Sequence, residues 1–325
     1  METPMKHWIL AGLLSIAALQ AGAQPAEPFP SHPVTAIVPF PPGGYADIVM
    51  RALQPSLGRA LGQPVVIMNR PGAGGALGAA VATQAKPDGY TILYTLASII
   101  TLPEQANLNN QKPIFTLDQL APIAKVTTDY PAIVVPAESK YKTIADLVAA
   151  AKANPGRITF ASSGNYGSSH VPVAMFSDAA GAKFNHIPYP GGAQMIVAML
   201  SNEVDFAAMS RSFVRTQVQS GKMRYLASYG KRHWDEPKIP SLADYGINVD
   251  YEPWTGAFLP ANTPAPIANR MREAFKTAVN DPEFKQALAK LGGDIDYIDG
   301  EEMNRFWQAD VRRVNEAVRK IGKVE

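Results

Sequence analysis

The residues whose spacing could do chemistry fall in four turns, and all four offer capture of an anion rather than bond making. The first is Phe40-Pro-Pro-Gly-Gly-Tyr-Ala-Asp47, which follows a buried-type strand and opens a helix. Gly43 and Gly44 let the backbone approach a ligand closely and reach positive φ. Pro41 and Pro42 lack N–H groups but stiffen the turn. A helix N-terminus behind such a turn presents bare N–H groups and a positive dipole end, enough to hold an anion without a charged side chain. Asp47 has two readings, a favourable contact with the helix dipole or a contact with the ligand.

The second turn is Ala161-Ser-Ser-Gly-Asn-Tyr-Gly-Ser-Ser-His170. It carries hydroxyls at Ser162, Ser163, Ser168 and Ser169, an amide at Asn165, and glycines at Gly164 and Gly167. It also joins a strand to a helix, so its N–H groups form a second anion nest. Alone it is an ordinary capped loop; facing the first turn across a cleft it is a second jaw. His170 reads as a structural helix residue. Phe40, Tyr45 and Tyr166 add aromatic walls. The third turn, His186-Ile-Pro-Tyr-Pro-Gly-Gly192, brings Tyr189 and the close-approach residue Gly191. The fourth is Ser210-Arg211, with Arg215 nearby. An Arg at a strand end could clamp a second acid group by a bidentate pair, and a solvated helix face is an equal alternative.

Other chemistries fail on spacing. Gly72-Ala-Gly-Gly-Ala-Leu-Gly78 follows a strand, but its last glycine is one place late for a dinucleotide loop, and no acid stands about 20 residues on. Walker-type, H-E-x-x-H and G-x-S-x-G patterns are missing. The 5 His are scattered and Cys is absent, so no metal site, thiol nucleophile or disulfide is indicated. No cofactor is implied. The formal charge of +2 without a basic run makes nucleic acid an unsuitable partner. Residues 1–23 read as a secretory signal: Lys6 and His7, an apolar run over 8–19, and a small-x-small site at Ala21-Gly-Ala23. That run is too short to span a bilayer comfortably.

Short apolar strands alternate with amphipathic helices around these turns. Strands are expected at 34–39, 65–68, 90–96, 123–127, 132–135, 157–161, 184–189, 204–209, 223–229 and 256–259. Helices are expected at 47–61, 75–84, 143–153 (capped by Thr143), 168–180, 193–200, 212–219, 266–280 and 301–320. The alternation argues for βαβ units, a parallel sheet and two α/β halves. The tail has too little sheet to stand alone, so it is expected to return to the first half. This gives lobe 1 at 30–130 plus 240–325, lobe 2 at 131–239, and a hinge at crossings near 127–136 and 229–254.

Several ordered marks resemble one family: Val38-Pro-Phe-Pro-Pro-Gly-Gly-Tyr-Ala-Asp47, Asn69-Arg-Pro-Gly-Ala-Gly-Gly75, Lys86-Pro-Asp-Gly-Tyr90, Ala161-Ser-Ser-Gly164 with Gly167-Ser-Ser-His170, Ile187-Pro-Tyr-Pro-Gly-Gly192, Val204-Asp205, Ile239-Pro-Ser-Leu-Ala-Asp-Tyr-Gly246 and Pro260-Ala-Asn-Thr-Pro-Ala-Pro266. Over essentially the whole mature chain the sequence resembles the Bug-type (TctC-like) receptors of tripartite tricarboxylate transporters. The resemblance implies a periplasmic type II "Venus flytrap", a single-copy binding protein without catalysis. It would close on a carboxylated solute and deliver it to one large and one small membrane subunit. It also implies that residues 40–47 and 162–169 grip one ligand carboxylate through backbone and water contacts. Asp47 would then meet the ligand's far end or an ordered water. The family commonly has Lys or Arg where Pro190 stands, Asp where Met195 or Ile196 stands, and often an aspartate near Met209 and Ser210. A lost acid and the gained Arg211 favour a dicarboxylate, aromatic ones such as terephthalate included. Two other readings stand beside this: an exported hydrolase built on the serine-rich turn, and a sensor subunit for a membrane kinase.

Overall fold

The computed structural model describes residues 29–229 and 238–324. The expected signal at 1–23 lies outside the described residues, as does the stretch 230–237 of the expected second crossing. Strand β1 (Val34–Val38) buries Val34, Ala36 and Val38 on one face and Ile37 on the other, as a strand covered on both sides must. It lies parallel between β2 (Val65–Asn69) and β3 (Thr91–Leu96). Helix α1 (Tyr45–Leu61) joins β1 to β2 and lays Val49, Met50, Leu53 and Leu57 on the sheet. Helix α2 (Ala76–Thr83) joins β2 to β3 and rides against the end of β1. A Cβ at Gly78 would come within 2.6 Å of the Arg70 carbonyl oxygen and 2.8 Å of Pro39 Cα, so only glycine permits that approach.

The expected parallel sheet is mixed. After the short helix α3 (Thr101–Leu108), β4 (Leu120–Thr128) runs into β5 (Pro131–Pro136) through Asp129 and Tyr130 alone. A parallel neighbour needs a crossover of a dozen or more residues, usually a helix. Strands β4 and β5 lie in different sheets, and each pairs antiparallel with its neighbours there. The returning strand β10 (Trp254–Pro260) inserts antiparallel between β3 and β4, and β11 (Asp294–Asp299) adds an antiparallel edge. The first sheet thus runs β11-β4-β10-β3-β1-β2.

The second sheet runs β7-β6-β8-β5-β9, with β6 (Thr159–Ser162), β7 (Asn185–Pro188), β8 (Phe206–Ser210) and β9 (Met223–Ser228). Helices α4 (Ile144–Ala153), α5 (Val171–Ala180), α6 (Gly192–Leu200) and α7 (Arg211–Gln219) connect them. Thr143 caps α4 as expected: its hydroxyl accepts from the Asp146 N–H, and the Asp146 carboxylate accepts from the Thr143 N–H. Helix α5 starts three residues later than expected, because residues 168–170 form a turn. The tail supplies α8 (Ala265–Asn280), α9 (Pro282–Leu291) and α10 (Gly300–Ile321). Helix α10 packs on β4 and also reaches α5.

The chain crosses between the sheets at Asp129–Tyr130 and again between β9 and β10. The crossings are bonded to each other, since the Asp129 N–H donates to the Pro253 carbonyl at 3.2 Å. One apolar cluster runs from Leu93 and Phe258 in the first sheet through Trp254 to Ile133, Phe160 and Phe206 in the second. The result is a two-lobe α/β fold with the strand ends of both sheets directed at a shared cleft.

Candidate ligand cleft

Residues just beyond the carboxyl ends of β1, β3, β6, β7 and β8 line that cleft, the position where open α/β sheets hold ligands. An inner cavity of about 250 Å³ opens into a mouth of about 820 Å³. The two spaces share Tyr45, Leu96, Ser98, Ser163, Ser168 and Gly192. The inner floor is made by the crossings themselves, through Asp129, Pro131, Pro253 and Trp254. Trp254 is fixed by its indole N–H, which donates to Asp310 on α10 at 2.7 Å.

The first jaw differs from its expected chemistry. Its glycine N–H groups are not bare: Gly43 donates to Asp47 Oδ2 at 2.8 Å, and Gly44 donates to the Pro41 carbonyl at 3.3 Å. Asp47 is 1% exposed and lines neither space. Its carboxylate accepts from Arg51 Nε at 2.9 Å and from Asn69 Nδ2 at 2.9 Å, and Asn69 also donates to the Phe40 carbonyl at 3.0 Å. Burial opposes the charge, yet the bonds from Arg51, Gly43 and Asn69 hold the carboxyl below the usual aspartate range. Asp47 therefore ties the loop into shape instead of meeting a ligand. What the jaw presents to the cleft is Phe40, Pro41, Gly44, Tyr45 and the start of α1, whose N-cap Gly44 brings no capping side chain. Pro42 and Gly43 are exposed outside the cleft lining.

The second jaw also closes much of its backbone on itself. Ser163 N–H donates to Ser169 Oγ at 2.8 Å, Gly164 N–H to Ser162 Oγ at 3.2 Å, and Tyr166 N–H to His170 Nδ1 at 3.0 Å. Ser163, Ser168 and Ser169 line the inner cavity, with the Ser163 and Ser169 hydroxyls 3.0 Å apart, while Gly164, Asn165, Tyr166 and Gly167 line the mouth. Asn165 Oδ1 is buried without a hydrogen-bond partner among the described residues. Tyr166 holds a positive φ of 58°, a strained state for a bulky side chain. The C-terminal segment pins it there: the Tyr166 hydroxyl donates to Gly322 O at 2.7 Å and accepts from Val324 N–H at 2.9 Å.

Ser162 is fully buried and faces neither space. Its hydroxyl lies 2.5 Å from His186 Nε2, and His186 stacks on His170 with ring centroids 3.8 Å apart. Burial, then the neighbouring His186, pushes His170 down to about 3; burial also lowers His186. Both rings are neutral at ordinary pH. This Ser–His pair has the contact of a nucleophile and base, but the Ser162 hydroxyl donates to the Gly164 carbonyl at 3.0 Å and opens to neither space, so the pair braces the loop. Tyr189 turns its hydroxyl to Glu203 at 3.0 Å, whereas Gly191 lines the mouth and Ser210 the inner cavity.

Arg211 is not placed as a clamp for the ligand. Its Nη2 donates to Gly292 O and Asp294 Oδ2, each at 3.3 Å, and so bridges the second lobe to the tail of the first. The charged residue in the inner cavity is one that motif reading missed, Asp129. It is 6% exposed, and Ser212 Oγ donates to its Oδ2. Burial pushes its carboxyl up to about 6; the Ser212 bond and the Arg211 charge work against that, and the Asp294 charge adds to it. The Tyr45 hydroxyl is buried without a hydrogen bond of acceptable geometry among the described residues, while neighbouring Thr127 is engaged with Thr255 at 2.8 Å. Ser98, Ser212 and Phe213 were also missed. Ser98 follows the end of β3, so the strand-end rule that singled out the jaws reaches it too.

The family "Tripartite tricarboxylate transporter family receptor" matches this chain over residues 49–323. A Cupriavidus necator protein, "UPF0065 protein in gbd 5'region", is 32% identical over 310 residues, covering 95% of this chain and 93% of the relative. Protein BugT of Bordetella pertussis is 30% identical, covering 96% of each. Among solved structures, a TctC solute binding protein from Polaromonas superposes with a TM-score of 0.77 at 29% identity, covering 90% of this chain and 99% of that one.

Proposed function

Because the chain belongs to the tripartite tricarboxylate transporter receptor family, whose members are solute-binding proteins and not enzymes, we propose that it captures a small organic carboxylate outside the cytoplasm and hands it to a tripartite membrane transporter. The lobes are taken as 30–130 plus 240–325 and as 131–239, acting as one copy. The observation that carries this reading is the inner cavity lined from both lobes at once, by Tyr45 and Ser98 on one side and by Ser163, Ser168 and Ser169 on the other. Hydroxyl donors there, with the uncapped first turn of α1, suit an anionic head group. Binding would shift a hinge equilibrium toward the closed form through contacts made only when both jaws meet the ligand. The narrower reading of a terephthalate-type dicarboxylate relied on Arg211 as a clamp, and its contacts with Gly292 and Asp294 remove that support.

The test is mass spectrometry of whatever the natively purified protein retains, followed by titration calorimetry with that compound. An intact small carboxylate that rebinds stoichiometrically is expected. A non-acidic ligand, or one recovered chemically altered, overturns the proposal.

A further inference from the structure

We propose that Asp129 is the specificity-determining residue for the ligand's far end, selecting a carboxylate whose opposite end donates a hydrogen bond and rejecting a second ionised carboxylate. This rests on the receptor reading above and deepens it. A hydroxyl or an ammonium supplies such a donor; the shared requirement is the hydrogen.

Three observations lead there. First, position: Asp129 stands on the floor where the chain crosses between lobes, so a ligand whose head group meets Ser163, Ser168 and Ser169 directs its other end toward it. Second, composition: among the described residues no Lys, Arg or His lines the inner cavity, and Asp129 is its one carboxylate. The cation closest in influence, Arg211, lies outside the lining and is bonded to Gly292 and Asp294. Third, capacity: an ionised carboxylate only accepts, and it offers about four lone-pair positions. Ser212 Oγ uses one.

The electrostatic surroundings reinforce the choice. Arg211 from α7, Asp294 from β11, Tyr45 from α1 and Tyr225 from β9 all interact with Asp129; Arg215, further along α7, acts on Tyr225 but is not among the groups acting on Asp129, where one cation faces two carboxylates. A third carboxylate brought in by a ligand would meet like charge in a water-poor space, which raises the energy of that complex. A donor-bearing end pairs instead. Sites built around a buried hydrogen-bonding group reject analogues that lack the partner more strongly than apolar pockets reject a missing methylene.

The experiment is titration calorimetry at pH 8 with two matched sets: 4-hydroxybutyrate, 4-aminobutyrate and succinate, and 4-hydroxybenzoate, 4-aminomethylbenzoate and terephthalate. In the wild type a donor-bearing member of a set is expected to bind at least ~10-fold more tightly than its dicarboxylate, the size of one buried polar mismatch. In Asp129→Asn that preference should narrow at least ~10-fold for an amino acid and less for a hydroxy acid, since the amide oxygen still accepts; this separates the two donor types. A dicarboxylate as the tightest wild-type ligand, or an unchanged ranking in Asp129→Asn, overturns the assignment while leaving the receptor reading standing. Binding of none of the six acids overturns the assignment, whereas the receptor reading falls only if the retained ligand is non-acidic or altered.

Discussion

Replacing Asp129 by Asn should make the ligand-free protein more stable at neutral pH. Asp129 has its carboxyl raised from 3.8 to about 6, chiefly by burial. The folded protein therefore keeps this proton to a higher pH than the unfolded chain does. Between pH 4 and 6 the native state binds more protons than the unfolded state, so stability falls as pH rises through that window and stays lower above it. At about 1.4 kcal/mol per pH unit, the rise corresponds to a loss of about 3 kcal/mol by pH 7. Asn cannot ionise and still offers an oxygen to Ser212, so the variant escapes the loss. Urea unfolding of ligand-stripped wild type and variant at pH 4.5 and 7.5 measures it. The expected result is a gap of up to about 3 kcal/mol in favour of Asp129→Asn at pH 7.5, shrinking at pH 4.5. An equal gap at both pH values, or a variant less stable at pH 7.5, refutes the reasoning. The same carboxylate that burdens the empty receptor is the one assigned to choosing its ligand, as expected of functional sites.

Other expectations are equally direct. Asp47→Ala removes the acceptor shared by Gly43, Arg51 and Asn69 and should cost about 2–4 kcal/mol in thermal or urea unfolding. Because Asp47 is held below its ordinary range, the stability it contributes is present above that range and lost as pH falls through the lowered value. Gly78→Ala drives a Cβ into the Arg70 carbonyl and Pro39 backbone and should destabilise by at least ~1–3 kcal/mol, read from the urea midpoint. Gly192→Ala places its Cβ 2.5 Å from the ring of Phe213, which is 48% exposed and can turn away; calorimetry should show weakened binding with little change in stability. Arg211→Gln removes the bridge to Asp294, and small-angle scattering of the empty protein should report a larger radius.

Legibility followed how local the signal was. The strands at Val34–Val38 and Thr91–Leu96 and helix α1 announce themselves because their apolar spacing is dictated by burial on known faces. Helix α3 is obscured by Pro103, which reads as a breaker but sits in the first turn, where a missing N–H costs nothing. Strand β11, Asp-Ile-Asp-Tyr-Ile-Asp, is an edge strand with a polar pattern and no fully buried residue to betray it. At the site, the sequence points to both jaws but not to the acceptors of their N–H groups. The partnership of Gly43 with Asp47 four residues on is visible only in three dimensions. Asp129 belongs to no motif at all. Its cavity mates Tyr45, Ser163, Ser212 and Trp254 come from distant parts of the chain, and only the crossing of the two sheets gathers them.

Strand β10 occupies the middle of the first sheet, yet its residues are numbered 254–260. Until they are available, β3 and β4 have no neighbour between them, and the first lobe remains an open arrangement of edges. Assembly must therefore wait for nearly the whole polypeptide and join segments far apart in order, which slows it. For a molecule that works beyond the membrane, that delay is useful: a chain that cannot complete its sheet from its early portion stays threadable for longer.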